Sequence, residues 1–250
     1  MSEDNEVPID TLAIGYTTIQ LAEFARGVEF SSYSQDLASF DLEKSVQKKL
    51  KDQLKQILDA AAAAAFRTAY VIFQPTSLAG GSWTLTGTPN VTATQNLTVA
   101  HMGIIRDYMT DTLWVPFYED DEYMGILSTK ALRGIKNDPD FIEWRKYIQP
   151  GDVLYNSEVG KVEQIRCVES PNTAALANNK GTGSVLGEAM IFGEDGVAMI
   201  EAETPELRVA IPGDFGRKKA VAWYGILQFG LIWTATSTAG EARVIRVTSQ

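Results

Sequence analysis

The chain has one histidine, His101, and one cysteine, Cys167, the residue types that most often serve as a catalytic base, a nucleophile or a zinc ligand. A catalytic triad needs a serine or cysteine beside a base, and neither residue lies in a supporting motif. A zinc site of nitrogen and sulfur ligands needs more such residues than the chain contains. We therefore predict that His101 lies on the surface and that Cys167, with Ile165 and Val168 beside it, is a buried thiol.

Two further segments resemble binding sites in composition. The four consecutive acids at 119–122 could attract Ca²⁺, but they lack the alternate spacing and the glycine of a calcium loop, so we predict a solvated acidic turn. Segment 181–187, GTGSVLG, is similar to a phosphate-binding loop, but its third glycine is one place late and no lysine follows. We predict a flexible loop there. A pair of carboxylates suited to glycoside cleavage is still possible, because the chain has 32 acids and the sequence does not show which of them are close in space. Otherwise the residues alone indicate no catalytic residue, metal site or cofactor.

The charge and cysteine content narrow the class of protein. Lys and Arg number 22 against 32 Asp and Glu, a net charge of −10, so sequence-independent binding to a phosphate backbone is not the expected main function. One cysteine cannot form an internal disulfide. The acidic N-terminus, MSEDNEVPID, has no apolar core region, which predicts a cytosolic rather than a secreted origin. The longest apolar run, 220–234, is shorter than the ~20 residues of a membrane span.

The element around which the chain is organised is a long helix predicted at 41–73. Its apolar residues recur at steps of three and four, from Leu42 to Ala61, while Lys44, Lys48, Lys51 and Lys55 fall on the opposite face. Six alanines, 60–65, continue the helix and allow close packing. Ser39 or Asp41 is the predicted N-cap. At 1.5 Å per residue such a spine helix would span roughly 45–50 Å.

The remaining segments predict an α+β protein. An extended arm is expected at 10–20, a short helical turn at 21–27, and a loop or loose hairpin at 75–96. Helices are expected at 98–110 and 123–133 and from Pro139, with a short edge strand at 114–117. The C-terminal part is rich in predicted strands, at 153–155, 161–169, 185–192, 197–201, 207–211, 219–233 and 242–248. The apolar run 220–233 is either a buried central strand or a surface buried against another copy of the chain.

Seven segments, taken in order, resemble the N4-type major capsid proteins of tailed bacteriophages. They are 17–46 (TTIQLAEFARGVEFSSYSQDLASFDLEKSV), 56–59 (QILD), 132–147 (LRGIKNDPDFIEWRKY), 153–172 (VLYNSEVGKVEQIRCVESPN), 190–196, 214–223 and 242–247. The resemblance runs from about Thr11 to the C-terminus. In that family more chain precedes the part equivalent to Thr11, so a short arm is expected here.

The resemblance implies an α+β fold of the HK97 capsid type, with a long spine helix, a strand-rich peripheral domain and an axial domain. The implied domains are an N-terminal arm with a remnant of the E-loop at 1–28, a peripheral domain with the spine helix at 29–95, a mainly axial domain at 96–164, and peripheral strands returning through the axial domain at 165–250. The family has no catalytic residues to transfer, and no cross-linking residue matches.

The function implied by the resemblance is that of a non-enzymatic major capsid protein. Its pentamers and hexamers would form the icosahedral shell of a virion around double-stranded DNA, after assembly in the bacterial cytoplasm with scaffold, portal or cement proteins. An acidic inner wall would not hold the packaged DNA tightly. The alternatives are an encapsulin-like compartment, a tail or neck protein, and a soluble α+β enzyme.

Overall fold

The computed structural model describes residues 17–145, 158–233 and 242–250. In these ranges the chain forms five α-helices and ten β-strands. The helices are α1 (Ser32–Leu37), α2 (Leu42–Phe66), α3 (Val99–Asp107), α4 (Thr129–Lys136) and α5 (Pro139–Arg145). The strands are β1 (Ala22–Ser31), β2 (Val71–Ser77), β3 (Gly80–Thr84), β4 (Tyr123–Ser128), β5 (Glu158–Val162), β6 (Ile165–Ser170), β7 (Ala189–Phe192), β8 (Val197–Val209), β9 (Lys218–Leu231) and β10 (Val244–Val247).

Three long strands form an antiparallel sheet with β9 in the centre, between β1 and β8. β1 pairs with β9 from Ala22, opposite Leu227, to Ser31, opposite Lys218. β8 pairs with the other side of β9, and its register shifts on either side of Glu203. The prediction of a central strand in the apolar run 220–233 is confirmed as far as Leu231.

Helix α2 lies on this sheet because one of its faces is apolar. Leu50 is fully buried against Val221 and Trp223 of β9. Three more residues of the helix pack around this contact, namely Val46, Leu54 and Ile57. The opposite face is exposed and carries the lysines. The predicted amphipathic helix is therefore confirmed.

Helix α2 begins where the sequence predicts but ends earlier. Asp41 is the N-cap, because its Oδ1 accepts the backbone N–H of Lys44 at 3.1 Å. The helix ends at Phe66 after 25 residues, a length of roughly 37 Å rather than 45–50 Å. The last residues of the predicted helix are β-branched or aromatic, and they form the buried start of β2 instead.

The second sheet has seven strands in the order β3-β2-β10-β7-β4-β6-β5. β10 runs parallel to β2 and β4 runs parallel to β6, whereas the other neighbours are antiparallel. Its core includes the fully buried side chains of Phe73, Leu127, Ile165, Ile191 and Ile245. The C-terminal strand β10 thus lies in the middle of a sheet whose other strands come from 71–192.

Three helices, α3, α4 and α5, cover the seven-stranded sheet. Met102, Ile105 and Met109 are buried in the same core, which confirms the helix predicted at 98–110, and a π-helical turn, Tyr108–Thr112, extends α3. Pro139 is the first residue of α5, as the sequence predicts. No helix in the described ranges has both the length and the apolar content needed to cross a bilayer.

Two predicted helices are wrong. The residues expected to form a helical turn at 21–27 belong to β1, whose Phe24 and Phe30 pack toward α2. The predicted helix at 123–133 is strand β4 up to Ser128, and only then does α4 begin. In both places pairing with strands distant in sequence outweighs a local pattern that also suits a helix.

Other predicted strands have mixed outcomes. The segment 114–117 forms no strand, and Trp114 has a φ of 52° with its ring exposed. The segments 197–201 and 207–211 are parts of one strand, β8. The predicted arm at 10–20 lies mostly outside the described residues, and the predicted strand at 153–155 lies wholly outside them.

The two sheets divide the chain at other points than the predicted domain boundaries. β2 and β3, expected with the spine helix in 29–95, pair into the seven-stranded sheet. The range 165–250 contributes β8 and β9 to the three-stranded sheet and β6, β7 and β10 to the other. The assignment of peripheral and axial parts remains a prediction.

Candidate assembly surfaces

His101 is buried, and the prediction that it lies on the surface is wrong. Its Nδ1 accepts the backbone N–H of Thr98 at 3.1 Å, while its Nε2 lies 2.8 Å from the carbonyl oxygen of Ser77 and 3.2 Å from that of Gly80. These contacts fit a neutral ring that carries its proton on Nε2. Burial lowers the pKa of His101, although the hydrogen bonds to the two carbonyl groups oppose this effect. The residue therefore joins the start of α3 to the β2–β3 hairpin.

The acidic segment is a turn, but only part of it is solvated. Asp120 and Asp121 are exposed at the tip, with φ values of 46° and 59°. Glu122 instead turns inward, where it forms ion pairs with Lys161 and with the nearly buried Arg166, the latter at 3.1 Å. Glu119 also lies 3.6 Å from Arg166, so the segment uses two of its carboxylates to hold the β5–β6 hairpin. No cluster of metal-ligating side chains is found anywhere in the described ranges.

The glycine-rich segment is a loop, as predicted, in which several backbone N–H groups already have acceptors within the chain. Lys180 and Leu186 exchange two backbone hydrogen bonds, and the N–H of Thr182 donates to the carbonyl oxygen of Ala93 at 2.9 Å. A phosphate-binding loop needs free N–H groups that point at the ligand, so this segment does not have the arrangement of such a loop.

Cys167 is buried in β6, which confirms the prediction of a buried thiol.

The end of helix α2 meets the seven-stranded sheet at a buried carboxylate, Glu188, which lies directly before β7. It accepts a hydrogen bond from Arg67 at 2.8 Å and one from Arg246 at 3.1 Å. The hydroxyl of Thr248 and the backbone N–H of Ala177 also donate to it. Burial raises the pKa of Glu188, but the hydrogen bonds from Ala177 and the two arginines outweigh burial, so the pKa lies below its usual value. Since Arg67 follows α2 and Arg246 lies in β10, this cluster fixes the spine helix against the seven-stranded sheet.

A cavity of about 280 Å³ lies beside this joint. The alanine run of α2 contributes Ala62 and Ala63 to its wall, and the seven-stranded sheet contributes Ile126 and Val168. The short alanine side chains bring the helix near the sheet, as the sequence predicts, but they do not fill the space between them.

Large apolar side chains are exposed at the end of the β8–β9 hairpin. Phe215 is fully exposed, Ile211 is 94 % exposed, and Val209 at the end of β8 is also exposed. Asp214, Phe215 and Gly216 all have positive φ values, so the turn holds the ring away from the sheet. Burying a phenylalanine side chain contributes about 1.5–3 kcal/mol, which makes this tip suited to contact with another molecule.

A second exposed apolar group precedes the spine helix. It consists of Tyr33 and Leu37 of α1 and of Phe40, each more than half exposed. Together with the hairpin tip, it gives the three-stranded part of the protein two apolar surfaces without a partner in the described residues.

These features are absent from the sequence predictions, although the sequence contains signals for them. Arg246 interrupts the apolar strand sequence VIRV, and Glu188 directly precedes the buried run AMIF. A charge inside an apolar strand must be paired to be tolerated. Phe215 is an aromatic residue within the polar turn GDFGRKK. Each of these residues departs from the pattern around it.

Comparisons of the sequence with known proteins found no relatives: no protein family model matches the chain, and no curated protein is significantly similar. Comparison of the structure did find similar solved proteins. The capsid asymmetric unit of cyanophage Pam1 superposes with a TM-score of 0.68 at 17 % identity, covering 98 % of this chain and 82 % of that one. The capsid of Helicobacter pylori bacteriophage KHP30 gives 0.64 at 14 % identity, covering 92 % and 75 %.

A protein compartment is similar as well. The holo-SrpI encapsulin complex from Synechococcus elongatus gives a TM-score of 0.55 at 10 % identity, covering 91 % of this chain and 73 % of that one. At these identities the likeness shows the fold. The predicted α+β fold of the HK97 capsid type is therefore confirmed.

Proposed function

We propose that the chain is the major capsid protein of a tailed bacteriophage and assembles as pentamers and hexamers into an icosahedral shell around double-stranded DNA. The observation that carries this proposal is the likeness to the Pam1 capsid unit, because it extends over 98 % of the chain with a TM-score of 0.68. A shell closed by symmetry needs many copies of weak contacts rather than one strong contact. The exposed Phe215 and Ile211 are suited to such a contact.

In this shell the three-stranded sheet with α2 would be the peripheral domain, and the seven-stranded sheet with α3, α4 and α5 would be mainly axial. This division follows the two sheets rather than the boundaries drawn from the sequence. The Glu188 cluster would then hold the two domains in one orientation. Segment 1–28 would include the N-terminal arm.

The proposed function also implies a location and partners for the protein. The role would be structural and non-enzymatic, within the virion, after assembly in the host cytoplasm with scaffold, portal or cement proteins. The seven sequence segments given above support membership of the N4-type capsid proteins. Packaged DNA would contact the inner face without sequence specificity.

An encapsulin-like compartment is the second candidate. The likeness to the SrpI complex supports it, but the TM-score of 0.55 is lower than the 0.68 for the Pam1 capsid unit. The two candidates differ in what the shell encloses, which is DNA in the first and a protein cargo in the second.

Negative-stain electron microscopy of the purified full chain, together with size-exclusion chromatography, tests the proposal. Closed shells, or free pentamers and hexamers, are the expected result. A protein that stays monomeric at high concentration would contradict the proposal. Shells from expressing cells that enclose one copurified protein instead of DNA would favour the compartment.

A further inference from the structure

The exposed face of α2 carries an ordered line of positive charge, which we call the lysine face: Lys44, Lys48, Lys51 and Lys55. The steps of four, three and four residues place these side chains in one line along the helix. All four residues are exposed. Lys55 lies eleven positions after Lys44, a distance of about 16–17 Å along the helix.

Within the described residues, only one lysine of the lysine face has an acidic partner. Lys44 forms an ion pair with the N-cap Asp41 at 3.4 Å. Across residues 17–145, 158–233 and 242–250, Lys48, Lys51 and Lys55 form no ion pair. Three lysines outside α2 do pair with acids of the chain, namely Lys136, Lys161 and Lys218.

Two acids, Asp52 and Asp59, border the lysine face on the helix. Neither lies within ion-pair distance of any lysine side chain that the structure describes. In a protein with a net charge of −10, a line of three unpaired lysines is a local exception to the charge of the whole molecule.

We infer that the lysine face binds the phosphate backbone of double-stranded DNA without sequence preference, and that it faces the DNA enclosed by the shell. This inference rests on the proposed function. DNA carries one charge per about 1.7 Å of helix axis, so a line of 16–17 Å lies beside roughly ten phosphates and needs no particular register. Long lysine side chains adapt to such a target as point charges.

The surroundings of the lysine face favour DNA over a protein partner. Protein interfaces are depleted in lysine and depend on apolar or aromatic anchors. No large apolar side chain of α2 is exposed, whereas the hairpin tip and α1 expose several. Three or four phosphate contacts in each copy give only weak binding to DNA. Repulsion between the phosphates and the acidic remainder of the chain weakens it further. Many copies in a shell would still line the DNA while allowing its release.

The triple variant Lys48→Gln, Lys51→Gln, Lys55→Gln tests the inference on the unassembled full chain. A fluorescently labelled 30-base-pair duplex of arbitrary sequence serves as the probe, and its anisotropy is followed from 50 to 200 mM KCl. With three contacts the affinity of the natural chain should fall roughly 40-fold over this range. The triple variant should bind at least about tenfold more weakly at 50 mM and should lose most of the salt dependence.

A matched control removes three positive charges outside α2 from residues that form no ion pair within the described ranges, by Lys130→Gln, Arg133→Gln and Lys180→Gln, and should bind DNA like the natural chain. Equal DNA binding by the natural chain and the lysine-face variant would overturn the inference. It would also be overturned if the lysine-face variant were folded but formed no shells, because the face would then contact another copy. Shells without DNA binding refute only this inference. DNA binding by the lysine face without shells refutes the proposed function and, with it, the position of the face inside a shell.

Discussion

The carboxylate of Glu188 lies 2.8 Å from the guanidinium of Arg67, the C-cap residue directly after the spine helix. The same carboxylate contacts Arg246 in the central part of the seven-stranded sheet. The side chain of Glu188 is 1 % exposed, so these contacts are largely withdrawn from solvent. One acid therefore fixes the helix of one layer to the sheet of the other.

Replacing this acid should destabilise the whole protein. Glu188→Gln leaves the two arginines without their anionic partner, and breaking a buried ion pair typically costs about 3–5 kcal/mol. Since Arg67 is 31 % exposed and can reach water, we expect about 3 kcal/mol, seen as a fall in melting temperature of roughly 6–12 °C. The control is Glu29→Gln, whose exposed pair with Lys218 should contribute less than about 1 kcal/mol. Equal losses in the two variants would contradict a special role for Glu188.

Acid should weaken the same contact. The folded protein holds the pKa of Glu188 below its usual value of 4.5, so the unfolded chain takes up the proton first. The stability from this group is complete above about pH 4.5 and is lost as the pH falls through the folded pKa. Unfolding by urea between pH 6 and pH 3 should show a smaller acid dependence for Glu188→Gln than for the natural chain. An unchanged dependence would mean that Glu188 does not titrate in this way.

His101 should produce a separate pH effect at higher pH. Burial holds its pKa below the usual 6.5, and protonation would place a proton on Nδ1, which accepts the N–H of Thr98. Stability from the neutral ring is therefore complete above about pH 6.5 and declines below it. The expected result is a fall in the free energy of unfolding of the natural chain from pH 7.5 to 5.5 that is reduced in His101→Gln. The same slope in both proteins would assign the effect to another group.

The sequence predicts those elements whose signal is local. Helix α2 combines an apolar stripe with an N-cap at Asp41, and both lie within the helix itself. Strand β1 has no such local signal, because it depends on pairing with β9, about 190 residues later in the chain. Strand β4 likewise lies between β6 and β7, which follow it in sequence. Neither contact is visible in the segment that makes it.

The same difference between local and distant sequence signals applies to His101, the Glu188 cluster and the lysine face. The composition predicts the absence of a triad, but the sole histidine gives no sign that two carbonyl groups from the β2–β3 hairpin will surround it. The Glu188 cluster joins residues from three separate parts of the chain, so only the unusual position of each charge could indicate it. The lysine line, by contrast, lies on one helix and is readable from spacing alone.

The apolar face of α2 should contribute most of the stability of the three-stranded layer. Leu50→Ala removes a fully buried side chain between the helix and Trp223, and such truncations cost about 2–5 kcal/mol. Lys51→Ala, one position later on the exposed face, should change the free energy of unfolding by less than about 0.5 kcal/mol. Urea unfolding of both variants measures the contrast. Similar values for the two would mean that the helix is not held by its contact with the sheet.

Substitution at the hairpin tip should separate assembly from folding. Phe215 is fully exposed, so Phe215→Asp removes no internal contact and should leave the melting temperature of the unassembled chain almost unchanged. In an assembly contact, however, the new carboxylate would have to be buried without a partner. We expect shells to be absent or greatly reduced in electron micrographs of Phe215→Asp.

The variant Phe215→Leu is the matched control, because it keeps an apolar side chain at the tip and should still form shells. Normal assembly of Phe215→Asp would show that the tip remains in solvent within the shell. Another surface, such as Tyr33, Leu37 and Phe40 before the spine helix, would then have to provide the contact between copies. A loss of shells in both variants would instead require an aromatic ring at the tip, which Phe215→Tyr should restore.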